Sequence, residues 1–546
     1  MTRLAFLLVF LLGGCGFFET PRPSPRPDTP APKPCEKSKI DWKNHVENII
    51  TGNCTQSGCH PAYADYQIAK SKIDGIILRT GNRSMPTPPR KLDQAEIDLI
   101  KAWKDNGTPL ECGTPTPPPP GFITNEYKES VKLSALFKIE LNVDKANTRW
   151  VNLCHIYNLG VKDLNLYRVG VSKLLNSLSD QSDLKSPIWE GEGQCLGRID
   201  QRWYGWNAQD WENIIAANTV NIVSRSDEGV FISQLTETQI PEVNGDWLAF
   251  YASQPPIYDG LLDIPATVAQ LEAQLPLNKA QAFADREVQC AGVTDSFVTK
   301  QNRLLCRFPI DQRPGFYRRS FDFLAVDAAN PERNLRAFPG KEEFGFTQSF
   351  QEAGGEIIFP LFNGFQGYVI IDAAGNVIPE APFNVVFDPI HAEAVVAGRN
   401  CISCHHQGSK EAKDIIRNHI SLNEANYDPG DVRLSYDLYV PHADYANGVS
   451  IDRRIFCQAM AEIGGSCDSE EPIGKMHYEY DSTVCIDRAS VEAGVQKPDL
   501  LRCLRNDNEL QANLSGLTDG GCVERPLWET QFARVVEACR ILDADD

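Results

Sequence analysis

The sequence is poor in basic charge and has no hydrophobic run long enough to cross a membrane. Its 546 residues include 53 Lys and Arg against 73 Asp and Glu, which gives a net charge of −20. Nucleic-acid binding needs clustered basic side chains, so this composition argues against it and favours a basic partner or simple solubility. The longest apolar run, residues 4–12, is too short for a transmembrane helix.

Several catalytic and binding signatures are also missing. The sequence has no internal repeats, no phosphate-binding glycine loop and no motif typical of a hydrolase. Methionine is scarce, with four residues in the chain, so a methionine near a metal-binding motif is informative. With 42% hydrophobic and 23% charged residues the chain should fold, and its length predicts about two to four domains.

The first residues are typical of a bacterial export signal. Arg3 precedes the apolar run, and small residues lead into Cys15. Residues 12–15 resemble the lipobox of bacterial lipoproteins, which implies a signal peptide over residues 1–14 and lipid on Cys15. The alternative is an ordinary secretory signal with an incidental cysteine. Gly16 after the cysteine favours the outer membrane, so we expect a lipid-anchored protein of the cell envelope, facing the periplasm or the cell surface.

Two proline-rich stretches, residues 15–34 and 114–122, divide the chain. Such segments cannot bury a core and favour extended polyproline II. We expect the first to be a tether behind the lipid and the second a linker. Between them lies a small module, residues 35–113. A mixed α/β domain over residues 123–385 and a C-terminal segment over residues 386–546 follow.

The 17 cysteines fall into three groups. Cys15 is the lipid site, and four others precede a histidine: Cys54, Cys59, Cys401 and Cys404. The remaining 12 are an even number, as six disulfides in an oxidising compartment would require.

Some pairings can be predicted by position. Cys35 and Cys112 lie at the two ends of the small module and would clasp it. Proximity favours a Cys290–Cys306 pair. Six cysteines between residues 457 and 539 predict a disulfide-rich C-terminal extension. The other pairings stay open.

Residues 401–405, with the sequence CISCH, form a C-x-x-C-H motif. Two thiols one helical turn apart can each add to a vinyl group of haem, and the next imidazole can ligate the iron. A redox dithiol or part of a zinc site are the alternatives, but the context that each requires is not evident. We therefore expect haem c covalently attached to Cys401 and Cys404, with His405 as an iron ligand.

A looser C-x4-C-H motif comprises Cys54, Cys59 and His60. Two extra residues must bulge between the thiols, which Gly58 makes easier. Met85 follows 25 residues after the histidine, and a thioether opposite an imidazole would raise the reduction potential. A disulfide loop and a packing methionine are the alternatives.

A helix is predicted after this methionine. Asp93 and Glu96 have capping-box spacing, and an apolar stripe continues to Trp103. The order of haem motif, Met-Pro loop and closing helix over most of residues 40–110 resembles small class I-type c cytochromes, especially the planctomycete-type family. This resemblance implies His60 as the proximal ligand and Met85 as the distal ligand. The C-x4-C-H spacing departs from the family pattern.

The remaining chain carries both strand and helix patterns. Residues 355–361 and 367–372 flank Asn363-Gly364 and predict a β-hairpin, whereas residues 266–274 and 452–463 are typical of helices. The expected fold is therefore multidomain. A small all-α cytochrome c module precedes a large mixed α/β (α+β) domain with a second haem segment.

From about residue 130 to 460 the chain also resembles a family of exported bacterial proteins with one late C-x-x-C-H motif. The resemblance is carried by residues that include Arg198, Asp200, Trp206, Trp211, Asp246, Pro255, Pro256, Asn302, Gly354, Gly355 and Asn400. The family consists mostly of c-type cytochromes, so it implies the second haem and no substrate.

The sequence leaves the ligand opposite His405 open. The candidates are His406, His419, His442, Met460, Met476 and His477. Met460 lies on an apolar helix face, which favours core packing. Met476 and His477 are expected in a glycine-containing loop, where ligands often lie. A vacant position is a further alternative.

A polar and aromatic cluster surrounds Arg198, Asp200 and Arg202. It could bind haem propionates, but a structural ion pair under aromatic packing is the preferred interpretation. Arg303, beside Asn302, has the same ambiguity. The lone histidines are expected to be structural: His155 and His391.

Three functions remain open. The favoured hypothesis is a lipid-anchored dihaem c-type cytochrome that carries electrons to or from a redox partner protein. The second is a haem-dependent, peroxidase-like oxidoreductase with an open coordination position at the second haem. The third is an envelope binding or scaffold protein with a single haem module. No small-molecule substrate is identified.

Overall fold

The computed structural model describes residues 42, 46–50, 69–70, 72–81, 92, 94–105, 121–137, 143–293, 302–323, 329, 334–382 and 394–545. The chain divides into two compact units, Met1–Pro118 and Pro119–Asp546, and the division falls within segment 114–122. Predictions that lie outside the described residues concern Cys15, Cys35, Cys54, Cys59, His60, Met85, Cys112 and His391. They stay predictions.

The described elements of the first unit are helices: α1 Glu47–Ile50, α2 Ile73–Gly81 and α3 Gln94–Asp105. The predicted apolar stripe on α3 is confirmed, because Ile97, Ile100 and Trp103 are all buried. The Trp103 ring packs against Trp42, with ring centres 5.2 Å apart.

The larger unit contains two main sheets. The first has the order β2-β3-β1-β4 and comprises β1 Thr148–Asn152, β2 Ile188–Glu190, β3 Leu196–Asp200 and β4 Glu242–Asn244. The second has the order β10-β9-β8-β7-β6-β5 and comprises β5 Gln289–Val293, β6 Arg303–Pro309, β7 Phe316–Asp322, β8 Gly354–Pro360, β9 Gln366–Asp372 and β10 Val377–Ile378. A short pair, β11 Val484–Cys485 and β12 Cys522–Val523, lies near the C-terminus.

Helices precede, separate and follow these strands. They are α4 Asn125–Phe137, α5 Cys154–Asn158, α6 Asn165–Ser177, α7 Ala208–Ala217, α8 Asp227–Thr236, α9 Gly245–Tyr251, α10 Ile257–Leu261, α11 Val268–Gln274, α12 Lys279–Ala284, α13 Arg399–Cys404, α14 Ile416–Leu422, α15 Pro429–Leu438, α16 His442–Glu462, α17 Pro472–Asp481, α18 Ile486–Ala493, α19 Lys497–Asn506, α20 Asn508–Asn513, α21 Ser515–Thr518 and α22 Arg525–Asp545. The prediction of mixed helix and sheet is confirmed. The helices predicted over 266–274 and 452–463 correspond to α11 and part of α16.

The six-stranded sheet is an antiparallel meander whose two faces differ. Its predicted hairpin is confirmed: β8 pairs with β9 across a turn that contains Asn363 and Gly364, and the glycine has a positive φ of 89°. On one face alternate residues such as Leu304 and Phe321 enter an apolar core. The other face carries polar residues such as Arg303, which lines a cavity.

The N- and C-terminal parts of the larger unit share their cores. One core joins Trp150 to Trp528, and the other joins Phe321 to Phe456. The expected division at residues 385 and 386 therefore does not separate two cores. No described helix is both long enough and apolar enough to span a bilayer.

Five disulfides tie the described part of the larger unit. They are Cys154–Cys195, Cys290–Cys306, Cys457–Cys467, Cys485–Cys522 and Cys503–Cys539. The predicted Cys290–Cys306 pair is confirmed; it joins directly opposed residues of β5 and β6. The last three confirm the disulfide-rich C-terminal extension.

Candidate haem site

The C-x-x-C-H motif lies on the short helix α13 and the residue after it. The chain enters the helix through Gly398, whose φ is +71° and whose position leaves no room for a side chain, because a Cβ would lie 2.3 Å from the carbonyl oxygen of Ser253. Asn400 closes the preceding turn by accepting the backbone N–H of Val396 at 2.8 Å. Helical spacing then brings the side chains three positions apart, at residues 401 and 404, to one face.

Cys401 and Cys404 are left out of the five disulfides. Burial raises the pKa of Cys401, so its sulfur remains a protonated thiol at neutral pH. In the described ranges no group of three or more His, Cys, Asp and Glu side chains is arranged to hold a metal ion. The zinc alternative therefore gains no support from this part of the chain.

The imidazole of His405 is oriented by the backbone that follows it. Its Nδ1 lies 3.2 Å from the carbonyl oxygen of Gly408. A carbonyl can only accept, so Nδ1 carries the hydrogen and Nε2 keeps its lone pair. Burial lowers the pKa of His405 to about 4, so the ring is neutral at physiological pH. This is the tautomer and charge state that an iron ligand requires.

Tyr368 of β9 packs beside this imidazole. The two ring centres are 5.6 Å apart, and the planes are inclined by 30°. The backbone N–H of Tyr368 donates to the hydroxyl of Tyr258 at 2.8 Å, which ties the strand to helix α10. Burial raises the pKa of Tyr368 well above its usual range, so the phenol stays neutral.

A cavity of about 400 Å³ lies beside the motif. Cys401, Cys404 and His405 all line it, and residues of β6, β7 and β8 form another part of its wall. Its volume is within the range of cofactor and ligand sites in proteins. Two thiols, a neutral imidazole and an adjoining cavity form a donor set that fits a covalently attached haem c.

The sheet wall of this cavity contains buried charges. Arg303 lies 2.6 Å from the carboxylate of Asp322 and 3.4 Å from that of Glu356. Burial raises the pKa of Asp322 to about 6, and Glu356 adds to this effect while Arg303 opposes it. Arg303, whose role was ambiguous in the sequence, is thus held by carboxylates at the edge of the candidate site.

None of the candidate distal ligands in the described part of the chain lines this cavity. Met460 is in the apolar core, as predicted. His442 is at the surface, 3.2 Å from Glu411. His419 lies on α14, and His406 is half-buried.

The expectation that Met476 and His477 lie in a loop is wrong. Both are buried within α17. Pro472 begins this helix, and the side chain of Glu471 accepts the backbone N–H of Gly474 as an N-cap. These start signals outweigh the glycine that favoured a loop.

Two other sequence predictions can be placed. Arg198 lies 3.0 Å from Glu190 on the neighbouring strand of the first sheet, which confirms a structural ion pair. His155 is buried and its Nε2 lies 2.8 Å from Asp246, as expected of a structural histidine. Burial lowers the pKa of His155 well below its usual range.

Sequence reasoning missed several residues of the cavity wall. Arg318, Glu356 and Tyr445 line the cavity, and Tyr368 borders the imidazole. One signal was available: the segment 316–322 reads FYRRSFD, and its adjacent arginines place one guanidinium group on each face of the strand.

A second cavity, of about 410 Å³, is lined by charged residues of α4 and β4. Glu242 lies 2.7 Å from the amine of Lys128 and 2.5 Å from that of Lys132. Burial alone would raise the pKa of Glu242, but the two lysines lower it to about 2.

The chain matches no protein-family model, no curated protein and no solved structure. The resemblances to c-type cytochromes therefore stay predictions.

Proposed function

We propose that the protein is an exported, lipid-anchored dihaem c-type cytochrome that carries electrons in the bacterial envelope. The observation that carries this proposal is the gathering of Cys401, Cys404 and His405 on one cavity while the other ten described cysteines form disulfides. Extensive disulfide bonding supports an oxidising, exported location.

Each residue of the motif has a distinct role in the proposal. Cys401 and Cys404 form the thioether bonds, and Nε2 of His405 ligates the iron. The carbonyl of Gly408 holds that imidazole in the ligating tautomer. The bound haem would supply a one-electron redox couple. The first haem would be attached at Cys54 and Cys59.

The number of covalent haems per polypeptide tests this proposal. We expect two in the full chain matured in a host that attaches haem c. The double variant Cys401→Ser, Cys404→Ser should carry one. A matched control, Cys457→Ser with Cys467→Ser, removes a disulfide that is not part of the cavity lining and should keep both haems.

Two results would contradict the proposal. An unchanged haem count in the Cys401→Ser, Cys404→Ser variant would exclude attachment at the C-terminal motif. If the unmodified chain carries one haem and the variant also carries one, haem is present only in the first unit. That result would agree with the scaffold hypothesis.

A second candidate function is a haem-dependent oxidoreductase. Met460 lies in the apolar core, and the imidazole of His477 contacts Ser403. Because these two candidate distal ligands have other contacts, an open coordination position at the second haem is favoured. Electron paramagnetic resonance of the ferric protein separates the two functions. Two low-spin signals favour an electron carrier, whereas one low-spin and one high-spin signal favour the oxidoreductase.

A further inference from the structure

The cavity wall contains buried guanidinium groups from neighbouring strands. The pairing of β6 with β7 places Arg307 opposite Arg318 and Arg303 opposite Asp322. Because side chains alternate along a strand, the three arginines project from the same face of the sheet. Arg303 and Arg318 line the cavity together with the motif cysteines.

The counter-charges of these arginines are unequal. Arg303 has two carboxylates, Asp322 and Glu356. Among the described residues, Arg318 and Arg307 share one carboxylate, that of Asp452 on α16. Nε of Arg318 lies 2.9 Å from that carboxylate, and Nε of Arg307 lies 3.3 Å from it.

Among the described residues, the set formed by Arg307, Arg318 and Asp452 has a formal charge of +1, and the neighbouring set formed by Arg303, Asp322 and Glu356 has one of −1. The side chains of Arg307, Arg318 and Asp452 are all buried. Tyr445 also hydrogen-bonds Arg318, but burial raises the pKa of this tyrosine, so it adds no negative charge. Because the two sets offset each other, the preference of the cavity for an anion depends on its other basic lining residues.

The lining residues of the cavity have an excess of basic side chains. Five are basic and two are acidic: Arg303, Arg318, Arg319, Lys410 and Lys413 against Glu356 and Glu411. Glu411 is close to His442 at the surface. An acidic chain thus has a cavity whose wall favours an anion.

We propose that Arg318 binds a propionate carboxylate of the haem attached to Cys401 and Cys404. This inference rests on the proposed function, because the carboxylate belongs to the attached haem. Arginine binds carboxylates through paired, charge-assisted hydrogen bonds, and the propionate would complement the excess of basic side chains in the cavity lining.

The first test uses the full chain with Cys54→Ser and Cys59→Ser, so that only the C-terminal haem remains. In this background Arg318→Gln should lower the midpoint potential, because a nearby positive charge favours the reduced iron. The pH-dependent step of the potential should move to higher pH, because the propionate loses its partner. Arg318→Lys keeps the charge and should give a smaller shift of both.

The matched control is Arg198→Gln. Arg198 is also a buried strand arginine with one carboxylate partner, Glu190, but it lies in the other sheet and is not among the cavity-lining residues. This variant should leave the potential and its pH profile unchanged. Identical pH profiles for Arg318→Gln and the unmodified background would overturn the assignment.

A second measurement allows for a purely structural effect. Arg318→Gln should lower the thermal midpoint more in the haem-loaded chain than in a chain that also carries Cys401→Ser and Cys404→Ser. Equal losses would contradict propionate binding. If added acetate raises the thermal midpoint of the loaded chain and Arg318→Gln abolishes this rise, the site takes a free carboxylate and the propionate assignment is wrong.

The two proposals can fail separately. If no haem is attached at the C-terminal motif, the proposed function fails before Arg318 is tested. If the haem is attached and the Arg318→Gln variant behaves as Arg198→Gln does, only the propionate assignment fails.

Discussion

The hydroxyl of Ser403 lies 3.3 Å from Nε2 of His477. Ser403 is on α13 between the two motif cysteines, and a helix turns by about 100° per residue, so its side chain points to a different face from theirs. The contact holds α17 against that face, whereas Cys401 and Cys404 line the cavity.

On the proposed function, we therefore expect His477→Gln to leave the coordination of the C-terminal haem unchanged. The imidazole of His477 contacts the helix that holds the motif and is not among the cavity-lining residues. Paramagnetic resonance of the ferric protein should show the same signals before and after the substitution. Loss of a low-spin signal would instead identify His477 as the distal ligand.

The iron-ligand role proposed for His405 predicts a chemical rescue. In His405→Ala the thioether bonds should persist, so the haem count stays the same, but the absorption spectrum should change because the iron loses its imidazole. Added imidazole should restore much of the original spectrum. His419→Ala, which alters a half-buried histidine of α14, is the control and should cause no change. A His405→Ala spectrum equal to that of the unmodified protein would contradict the assignment.

Much of the local structure could be predicted from sequence because its signals are local. The Asn363-Gly364 turn between two apolar runs specified the β8–β9 hairpin. The short spacing of Cys290 and Cys306 was enough to pair them. Met476 was misplaced because two local signals compete there, and the helix start at Pro472 outweighs a single glycine.

The cavity wall could not be predicted, because it depends on long-range contacts. Arg318 and Asp452 are 134 residues apart in sequence, and no local pattern indicates that they meet. Tyr368 of β9 lies beside His405, with the ring centres 5.6 Å apart, although the two residues belong to different elements. The motif identified the two thiols and the imidazole but not the groups around them.

Glu242→Gln should destabilise the larger unit. The substitution leaves the amines of Lys128 and Lys132 buried without their carboxylate. Removing one partner of a buried ion pair costs about 3–5 kcal/mol. Urea denaturation measures the loss. Glu126 is an exposed residue of α4, the helix that carries Lys128 and Lys132. Glu126→Gln should change the free energy of unfolding by less than about 0.5 kcal/mol. Equal effects of the two variants would contradict a role for the buried pair.

The same carboxylate predicts a pH dependence. Its pKa is about 2 when folded, against 4.5 for an unperturbed Glu. Glu492 behaves likewise: burial would raise its pKa, but Arg488 and Arg525 lower it to about 2. The stabilisation from the carboxylates of Glu242 and Glu492 is therefore complete above pH 4.5, and it is lost as the pH falls towards 2. Denaturation midpoints between pH 7 and pH 3 should fall less steeply for Glu242→Gln than for the unmodified chain; parallel curves would contradict this.

The disulfides of the C-terminal extension should differ in their contribution. Cys503–Cys539 spans 36 residues and Cys457–Cys467 spans 10. If a disulfide acts by lowering the chain entropy of the unfolded state, the longer loop should raise the free energy of unfolding by about 1 kcal/mol more than the shorter loop. Replacing each pair by alanine and comparing the urea midpoints tests this. A larger loss for the shorter loop would show that packing around the sulfurs outweighs loop closure.

The burial of Cys401 has a consequence for how the protein is assembled. Only 7% of this residue is exposed, and it belongs to the same core as Trp150 and Trp528. An enzyme that joins haem to a thiol cannot reach it once that core has closed. On the proposed function, haem must be attached while the exported chain is still open. Oxidation of the ten cysteines that form the described disulfides must then not capture Cys401 or Cys404 first, so the timing of the two reactions decides the yield of mature protein.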